Sequence, residues 1–248
     1  MYGQEHTSQT HNRRRFVDSP RGRGAVDKSA GVGAFMGTVY AWMAAGLGVT
    51  SAVTIWLGMQ PELVTSIFTS WVMWPIFIVP FILIMFLGAA AKKTSPWLGG
   101  VLYFAITGII GVWLSSIGVL ALEDPAYGAI VGQTLLITVG MFAGMSITGW
   151  ITKKDLSGMG NFMMAALWGL IFAGFANMFI QSVEFDFWTS VIAVVVFAGL
   201  TAWDTQQIKN IYYEGGRGHG LAIMGALTLY LDFVNLFLHL LRLMTNKD

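Results

Sequence analysis

Two aspartates lie inside segments of the sequence that are otherwise apolar. Asp204 belongs to the stretch 187–208 and Asp232 to the stretch 221–244. A carboxylate inside a bilayer costs at least a few kcal/mol, so such a residue normally faces the interior of a helix bundle or a wet cavity. Close carboxyls in a poorly solvated site resist simultaneous ionisation, so a pair of them is expected to share a proton near neutrality. The two residues are therefore predicted to form one functional site.

The last apolar stretch carries its polar residues on one face. Thr228, Asp232, Asn235, His239 and Arg242 follow one another at spacings of four, three, four and three residues, with nearly all apolar residues between them. This spacing is that of one helix face, and we name these five residues the polar stripe. A polar stripe must turn away from lipid, so the last helix is predicted to lie in the centre of the bundle.

Further polar residues are candidates for supporting the aspartates or for lining a pathway to them. They are Thr201 on the sixth stretch, Thr228, Asn235 and His239 on the stripe, and Asn177 and Gln181, four residues apart on the fifth stretch. Hydrogen bonds between helices, at about 0.6 kcal/mol each on average, are the simpler interpretation of Thr228 and Asn235. His239 either exchanges protons or only donates hydrogen bonds near a helix end, and Arg242 is expected to extend toward the membrane surface.

The composition is that of a membrane protein. Hydrophobic residues occupy 55% of the 248 positions and charged residues 11%, with a mean hydropathy of +0.65, whereas a soluble chain carries about 25% charged residues. A soluble enzyme is thereby excluded. Without cysteine the chain has no disulfide, no thiolate nucleophile and no cysteine metal ligand. We expect lipid as its surroundings, no cofactor and no nucleic-acid partner.

Seven apolar stretches are long enough to cross a bilayer as helices, which takes about 20 residues each. Charges, prolines and glycines mark the breaks between them. Their continuous hydrophobicity differs from the alternation over about ten residues that is typical of transmembrane β-strands. The predicted fold class is an all-α membrane protein with seven transmembrane helices, at 30–57, 68–91, 97–122, 127–151, 162–181, 187–208 and 221–244.

The charges between the stretches alternate in sign and indicate the topology. Lysines follow the second, fourth and sixth stretches, whereas acidic residues follow the first, third and fifth. Because basic loops stay in the cytoplasm, the N-terminus is predicted to be cytoplasmic, with a basic disordered tail at 1–29 and a membrane domain at 30–248. Seven crossings place the C-terminus outside in spite of Arg242 and Lys247; a final segment that re-enters and returns would place it inside.

Three segments resemble the Bax inhibitor-1 family, whose members are also called transmembrane Bax-inhibitor-motif proteins. The stretches 197–209 and 225–238, which hold Asp204 and Asp232, look like its two signature segments, and 153–161 resembles a loop of its proteobacterial members. The resemblance implies a bacterial inner-membrane protein with seven helices and a central last helix. It also implies that Asp204 and Asp232 form a pH-sensing gate for a calcium leak, with Ca²⁺ as the transported ion.

The family resemblance adds two further expectations. Some members restrain a membrane protease or suppress stress-induced death, so a non-conducting protein that regulates a protease or a stress response is the alternative function. Some members also carry an arginine on the second helix that contacts the aspartates, whereas the second stretch here has no charge. A closed state held by such an arginine is therefore not expected in this chain.

Two carboxylates are too few for tight calcium binding, which takes 6–8 oxygens, so only a transient calcium site at Asp204 and Asp232 is expected.

An intramembrane aspartyl protease is the enzymatic alternative, because aspartates on consecutive helices can activate water through a shared proton. That class requires Gly-x-Gly-Asp on its second catalytic helix. Leu229 and Leu231 occupy the two glycine positions before Asp232. The chain is therefore not expected to be an enzyme.

Overall fold

The computed structural model describes residues 20–90, 96–214 and 218–246. Within these ranges the chain forms nine helices and no strand, which confirms the all-α class. The helices are α1 Pro20–Gly58, α2 Pro61–Thr69, α3 Met73–Ala90, α4 Pro96–Trp113, α5 Ser115–Glu123, α6 Pro125–Ile151, α7 Ser157–Ile180, α8 Val183–Tyr213 and α9 His219–Thr245.

Five of these helices are long and apolar enough to cross a membrane: α1 from Gly31, α6, α7, α8 and α9. Two bent pairs pass the same test together, α2 with α3 at 82° and α4 with α5 at 46°, so the chain has five to seven candidate spans. The second and third predicted stretches are thus broken rather than continuous. Pro61, which suits the first position of a helix, starts α2 where a loop was expected. The first break then lies between α2 and α3, at residues 70–72.

The bend between α4 and α5 lies beside an unusual contact between α3 and α4. Pro80 lies inside α3 and has no N–H, so the carbonyl of Ile76 loses its partner within the helix. The indole Nε1 of Trp113 donates to this carbonyl at 2.9 Å, and Phe77 stacks on the same indole at 4.9 Å. Trp113 is the last residue of α4, so this contact fixes the end of α4 against α3.

The candidate spans differ in how deeply they are buried. In their most apolar windows, 61% of the residues of α9 and 50% of those of α8 are buried, against none in α7. In the described residues α9 packs against α8, α1, α6, α4 and α3, while α7 packs against α8 alone. The two helices that carry the aspartates therefore form most of the core, and α7 lies at its periphery.

Some expectations concern parts of the chain outside the described ranges. α1 begins at Pro20, within the segment predicted as a tail, and residues 1–19 of that tail are not described. The loop with Lys92 and Lys93 is also outside the described residues, as is Lys247.

Candidate functional site

Two glycines determine the position of the α8 segment that carries Asp204. Gly149 of α6 lies against the carbonyl of Ala202, and Gly160 of α7 lies against the indole of Trp203; a Cβ atom at either glycine would overlap these neighbours. Small residues let transmembrane helices approach this closely. As a result α6 and α7 both pack directly on α8, one residue or two before Asp204.

Hydrogen bonds fix the residues that follow Asp204. The Thr205 hydroxyl bonds Ser146 of α6 at 3.0 Å, and Ser146 in turn bonds Tyr40 of α1. Gln206 holds the loop between α6 and α7: its Oε1 accepts from the Leu156 N–H and its Nε2 donates to the Lys154 carbonyl, both at 2.8 Å. Asp204 therefore projects from a segment of α8 that three other elements hold in place.

The loop between α6 and α7 is itself ordered by an exposed aspartate. Asp155 Oδ1 accepts hydrogen bonds from the hydroxyl of Ser157 at 2.6 Å and from its N–H at 2.9 Å. These bonds favour the charged carboxylate and lower the pKa of Asp155 below its usual value. Asp155 thus caps the start of α7, the helix that brings Gly160 to Trp203.

Asp232 is held from the opposite side of α9. The Tyr230 hydroxyl bonds Thr50 of α1 at 2.7 Å, and Thr50 donates to the carbonyl of Thr107 on α4 at 2.8 Å. Gly225 packs against Ile208, which brings α9 close to α8 near the aspartates. α9 is therefore fastened to α1 and α4 on one face and presents Asp232 to α8 on another.

The carboxyls of Asp204 and Asp232 lie within hydrogen-bonding reach of each other. We name these two residues the carboxyl pair. Asp232 is 5% exposed, and its Oδ2 is buried without a hydrogen-bond donor; Asp204 is partly exposed. Carboxylates only accept hydrogen bonds, so a bond between two of them needs a proton. The geometry can hold a shared proton or a small cation.

The carboxyl pair lines a cavity of about 530 Å³ between α3, α7, α8 and α9, which we name the carboxyl cavity. The whole polar stripe of α9 faces this cavity, so the predicted orientation of the stripe is observed. Its lining residues are Phe81 of α3; Met164, Leu167, Leu170, Ile171, Ala173, Gly174 and Asn177 of α7; Asp186, Thr189, Phe197, Leu200, Trp203 and Asp204 of α8; and Thr228, Leu231, Asp232, Asn235, His239 and Arg242 of α9.

Most of the other predicted site residues bond within their own helix or next to it. Thr228 Oγ1 donates to the Met224 carbonyl at 3.2 Å, and Asn235 Nδ2 donates to the Leu231 carbonyl at 2.8 Å. These two residues therefore line the cavity without bonding another helix, contrary to the interhelical bonds expected from the sequence.

His239 and Asn177 also line the cavity, whereas Thr201 and Gln181 do not. The His239 ring stacks on Phe197 at 5.9 Å and contacts Ser190 at 3.4 Å, and Asn177 Oδ1 accepts from the Ser182 N–H. Thr201 is fully buried and donates to the carbonyl of Phe197. Gln181 is exposed and ends α7 in a left-handed conformation at φ 51°, so the pair Asn177 and Gln181 does not act as one face.

The far end of the carboxyl cavity holds an ion pair that the sequence reasoning missed. Arg242 Nη1 bonds Asp186 Oδ1 at 3.4 Å, and the two side chains are 54% and 28% exposed. Asp186 is one of the acidic residues that follow the fifth stretch, and it lies in the first turn of α8 rather than in a loop. The sequence held a signal for the position of Asp186, because positions 186 and 204 are five full helical turns apart and so lie on one face of α8.

The sequence reasoning also missed Trp203, whose buried Nε1 has no hydrogen-bond partner among the described residues.

No group of three or more His, Asp or Glu side chains gathers at one point in the part of the chain that the structure describes. Among the described residues, the carboxyl pair is thus the acidic site at which a cation inside the bundle could bind. A calcium ion bound there would keep most of its water, since calcium takes 6–8 oxygen ligands.

Comparison with known proteins gives the family. The family model for inhibitors of apoptosis-promoting Bax1 matches residues 32–248. Inner membrane protein YbhL of Escherichia coli K12 is 36% identical over 92% of this chain and 98% of its own length. Uncharacterized proteins of Deinococcus radiodurans and Caulobacter vibrioides are each 35% identical, over 86% and 90% of this chain and 91% and 92% of their own.

These matches agree with the helical architecture described above. The inner-membrane relative and the five to seven candidate spans support a multi-pass inner-membrane location. Since the family model covers almost all of the chain outside the N-terminal tail, the chain belongs to the Bax inhibitor-1 family of membrane proteins.

Proposed function

We propose that the chain is a pH-sensitive leak pathway for calcium, gated by the carboxyl pair. The observation that carries this function is the contact of two carboxyls from different helices, one of them buried with an oxygen that no donor reaches. Either a proton or a cation stabilises such a contact. A proton-controlled cation pathway has to bind both.

This function requires a bundle that crosses the membrane seven times. Each bent pair of helices then counts as one crossing, and α9 lies in the centre. The burial of α9 and its packing against five helices support a central position. Basic loops alternating with acidic ones support a cytoplasmic N-terminus. The carboxyl pair then lies near the cytoplasmic side, and the Asp186–Arg242 ion pair near the outer side.

The length of the carboxyl cavity suits a pathway. It extends along α8 from Asp186 to Asp204, which is about 27 Å at 1.5 Å per residue, compared with about 30 Å for the hydrocarbon core. Thr228, Asn235, His239 and Asn177 supply polar groups along this length. Calcium would enter at the Asp186–Arg242 end and leave past Asp204.

The gate works through one proton. With the proton bound, a hydrogen bond between the carboxyls holds α8 against α9. When the proton leaves, two negative charges repel each other, the helices separate and the carboxylates attract a cation. Buried titratable groups drive switches of this kind between two packings. The other charged or titratable residues that line the described cavity are Asp186, His239 and Arg242.

The same arrangement gives Ca²⁺ a transient site at the carboxyl pair and needs no cofactor. We assign no catalytic role to the pair. Leu229 and Leu231 occupy the positions of the two glycines that an aspartyl protease has before its second aspartate.

Calcium flux into liposomes tests this function. Wild-type protein should pass calcium with a rate that rises as pH increases through the titration of the pair. Asp204→Asn and Asp232→Asn should each remove the pH dependence, leaving the protein open or closed, because an amide hydrogen-bonds but does not titrate. Asp155→Asn is the matched control: it removes an exposed carboxylate, keeps a good capping residue and should leave the profile unchanged.

Two results would contradict the gate. One is an unchanged pH profile in both single variants of the carboxyl pair. The other is a wild-type protein that passes no calcium at any pH, which would favour the non-conducting protein that regulates a membrane protease or a stress response.

A further inference from the structure

Two helices that line the carboxyl cavity, α3 and α7, do not approach each other closely within the described residues. In these residues no Cα atom of α3 lies within 8 Å of one of α7. Phe81 on the α3 side and Met164 and Ile171 on the α7 side are exposed. A membrane-spanning surface faces lipid, so the wall between α3 and α7 is the side of the cavity that borders the bilayer.

The two sides of this cavity differ in chemistry. The α3 and α7 side is apolar apart from Asn177, whereas α9 contributes the polar stripe. Arg242 is paired with Asp186 at the far end. None of the ion pairs found among the described side chains involves Asp204 or Asp232. A molecule that enters from the lipid therefore meets apolar walls first and a buried, uncompensated acidic pair behind them.

We propose that the carboxyl cavity binds a long-chain primary amine that enters from the bilayer between α3 and α7, with its ammonium group on the carboxyl pair. The alkyl chain would lie along Phe81, Leu167 and Ile171. The amine would arrive from the lipid as the free base, take up the shared proton to become the ammonium, and donate N–H bonds to both carboxylates.

The buried oxygen of Asp232 selects the head group. Asp232 Oδ2 is an acceptor without a donor, and leaving such a group unsatisfied costs about 1–3 kcal/mol. A primary ammonium has three N–H donors, whereas a quaternary ammonium has none. A charged hydrogen bond in a poorly solvated site is also stronger than a neutral one, so the primary amine should bind better than its trimethylated analogue.

A carbodiimide reaction in lipid nanodiscs tests this site without measuring calcium flux. Dicyclohexylcarbodiimide dissolves in lipid and reacts with protonated carboxyls: the carboxyl oxygen bonds the central carbon, the proton moves to nitrogen, and rearrangement leaves a stable N-acylurea. An amine can also attack the activated carboxyl, which gives an amide and releases dicyclohexylurea. Peptide mass spectrometry locates both products, and protection is counted as peptide that carries neither. We expect modification of Asp204 or Asp232 in the wild-type protein and none at these positions in the double Asn variant.

Dodecylamine should protect the carboxyl pair. At about ten times its dissociation constant, it leaves about a tenth of the sites free and slows modification about tenfold. Butylamine at the same concentration should protect much less, because it lacks the chain, and dodecyltrimethylammonium less because it lacks N–H donors. Dodecyl sulfate, with the opposite charge, should not protect.

Two glycines of α7 provide matched variants for the entry between α3 and α7. Gly174 lines the cavity with no atom within 4 Å of an added Cβ, and Gly169 is equally free but does not line it. Gly174→Phe should fill this entry and slow modification of the pair, whereas Gly169→Phe should not. Ile171→Phe is a second variant at the rim, in case Gly174→Phe lowers the yield of folded protein.

Three results would overturn the amine site: no modification of the wild-type pair, equal protection by butylamine, or equal protection by dodecyl sulfate. Protection by dodecylamine in a protein that passes no calcium would support the amine site and contradict only the leak function. Equal modification rates in the Gly174→Phe, Ile171→Phe and Gly169→Phe variants would exclude entry between α3 and α7.

Discussion

The contact between Gly149 and Ala202 positions Asp204, and a single methyl group should disrupt it. In Gly149→Ala the new Cβ would overlap the carbonyl oxygen of Ala202. This neighbour is backbone and has no rotamer to change, so α6 and α8 must move apart. Overpacking of this kind costs about 1–3 kcal/mol. Separation also stretches the 3.0 Å bond from Ser146 to Thr205, which adds about 0.6 kcal/mol.

Gly144→Ala is the matched control on the same helix. No atom lies within 4 Å of a Cβ at Gly144, so the substitution adds only the helix preference of alanine over glycine, at most about 1 kcal/mol. Unfolding by a denaturing detergent, followed by the change in helical circular dichroism, should rank Gly149→Ala below wild type and Gly144→Ala at or above it. Equal stability of the two variants would refute the close packing of α6 on α8.

Three further predictions concern single contacts. Trp113→Phe should destabilise the protein by about 1–3 kcal/mol because the carbonyl of Ile76 loses its donor beside Pro80, while Trp168→Phe, at an exposed tryptophan, should have little effect on the same unfolding transition. Tyr230→Phe removes the bond to Thr50 and should cost about 0.5–1.5 kcal/mol, measured by thermal unfolding, without changing the pH dependence of flux; a changed pH dependence would contradict a purely structural role. The pKa of Asp155 is lowered in the folded protein, so its contribution to stability is present above the ordinary aspartate pKa and is lost as pH falls through the lowered value; thermal unfolding of wild type and Asp155→Ala should therefore differ at neutral pH and converge in acid.

The polar stripe could be read from the sequence because one helix determines it. A helix repeats every 3.6 residues, so the spacing of Thr228, Asp232, Asn235, His239 and Arg242 fixes a common face whatever surrounds it. The same rule, applied to α8, relates Asp186 to Asp204. The ion pair of Asp186 with Arg242 was missed because an acidic residue at the end of an apolar stretch was assigned to a loop, although α8 begins at Val183.

The bends could not be read from apolar content. No charged residue or proline marks the bend at Leu114, and the bend accompanies a contact with α3 that is remote in sequence. A proline inside an apolar stretch indicates a possible kink, but the contact of Trp113 with the carbonyl that Pro80 leaves free is not predictable from local pattern. At Gln181 the local spacing was misleading. Its distance of four residues from Asn177 suited one helix face, but α7 ends at Gln181 in a left-handed turn, which directs this side chain elsewhere.

Gly149 and Gly160 let α6 and α7 pack closely on α8 beside Asp204, and this packing places the carboxyl in the core of the bundle. Glycine is common in transmembrane helices, and the sequence has 30 of them. Only the assembled bundle distinguishes these two, which contact Ala202 and Trp203, from Gly144 and Gly169, where an added Cβ would meet no other side chain or helix. Sequence reasoning therefore identified the carboxyl pair but not the residues that hold it.

The most direct test of the gate follows the proton and the ion in one sample. Infrared absorption of a protonated carboxyl, recorded against pH on protein in liposomes, should disappear over the same pH range in which calcium flux rises. Both changes should be absent in the double variant Asp204→Asn, Asp232→Asn, which has neither carboxyl of the pair. A carboxyl band that titrates while the flux stays constant, or a flux that changes while the band stays constant, would contradict control of the pathway by the carboxyl pair.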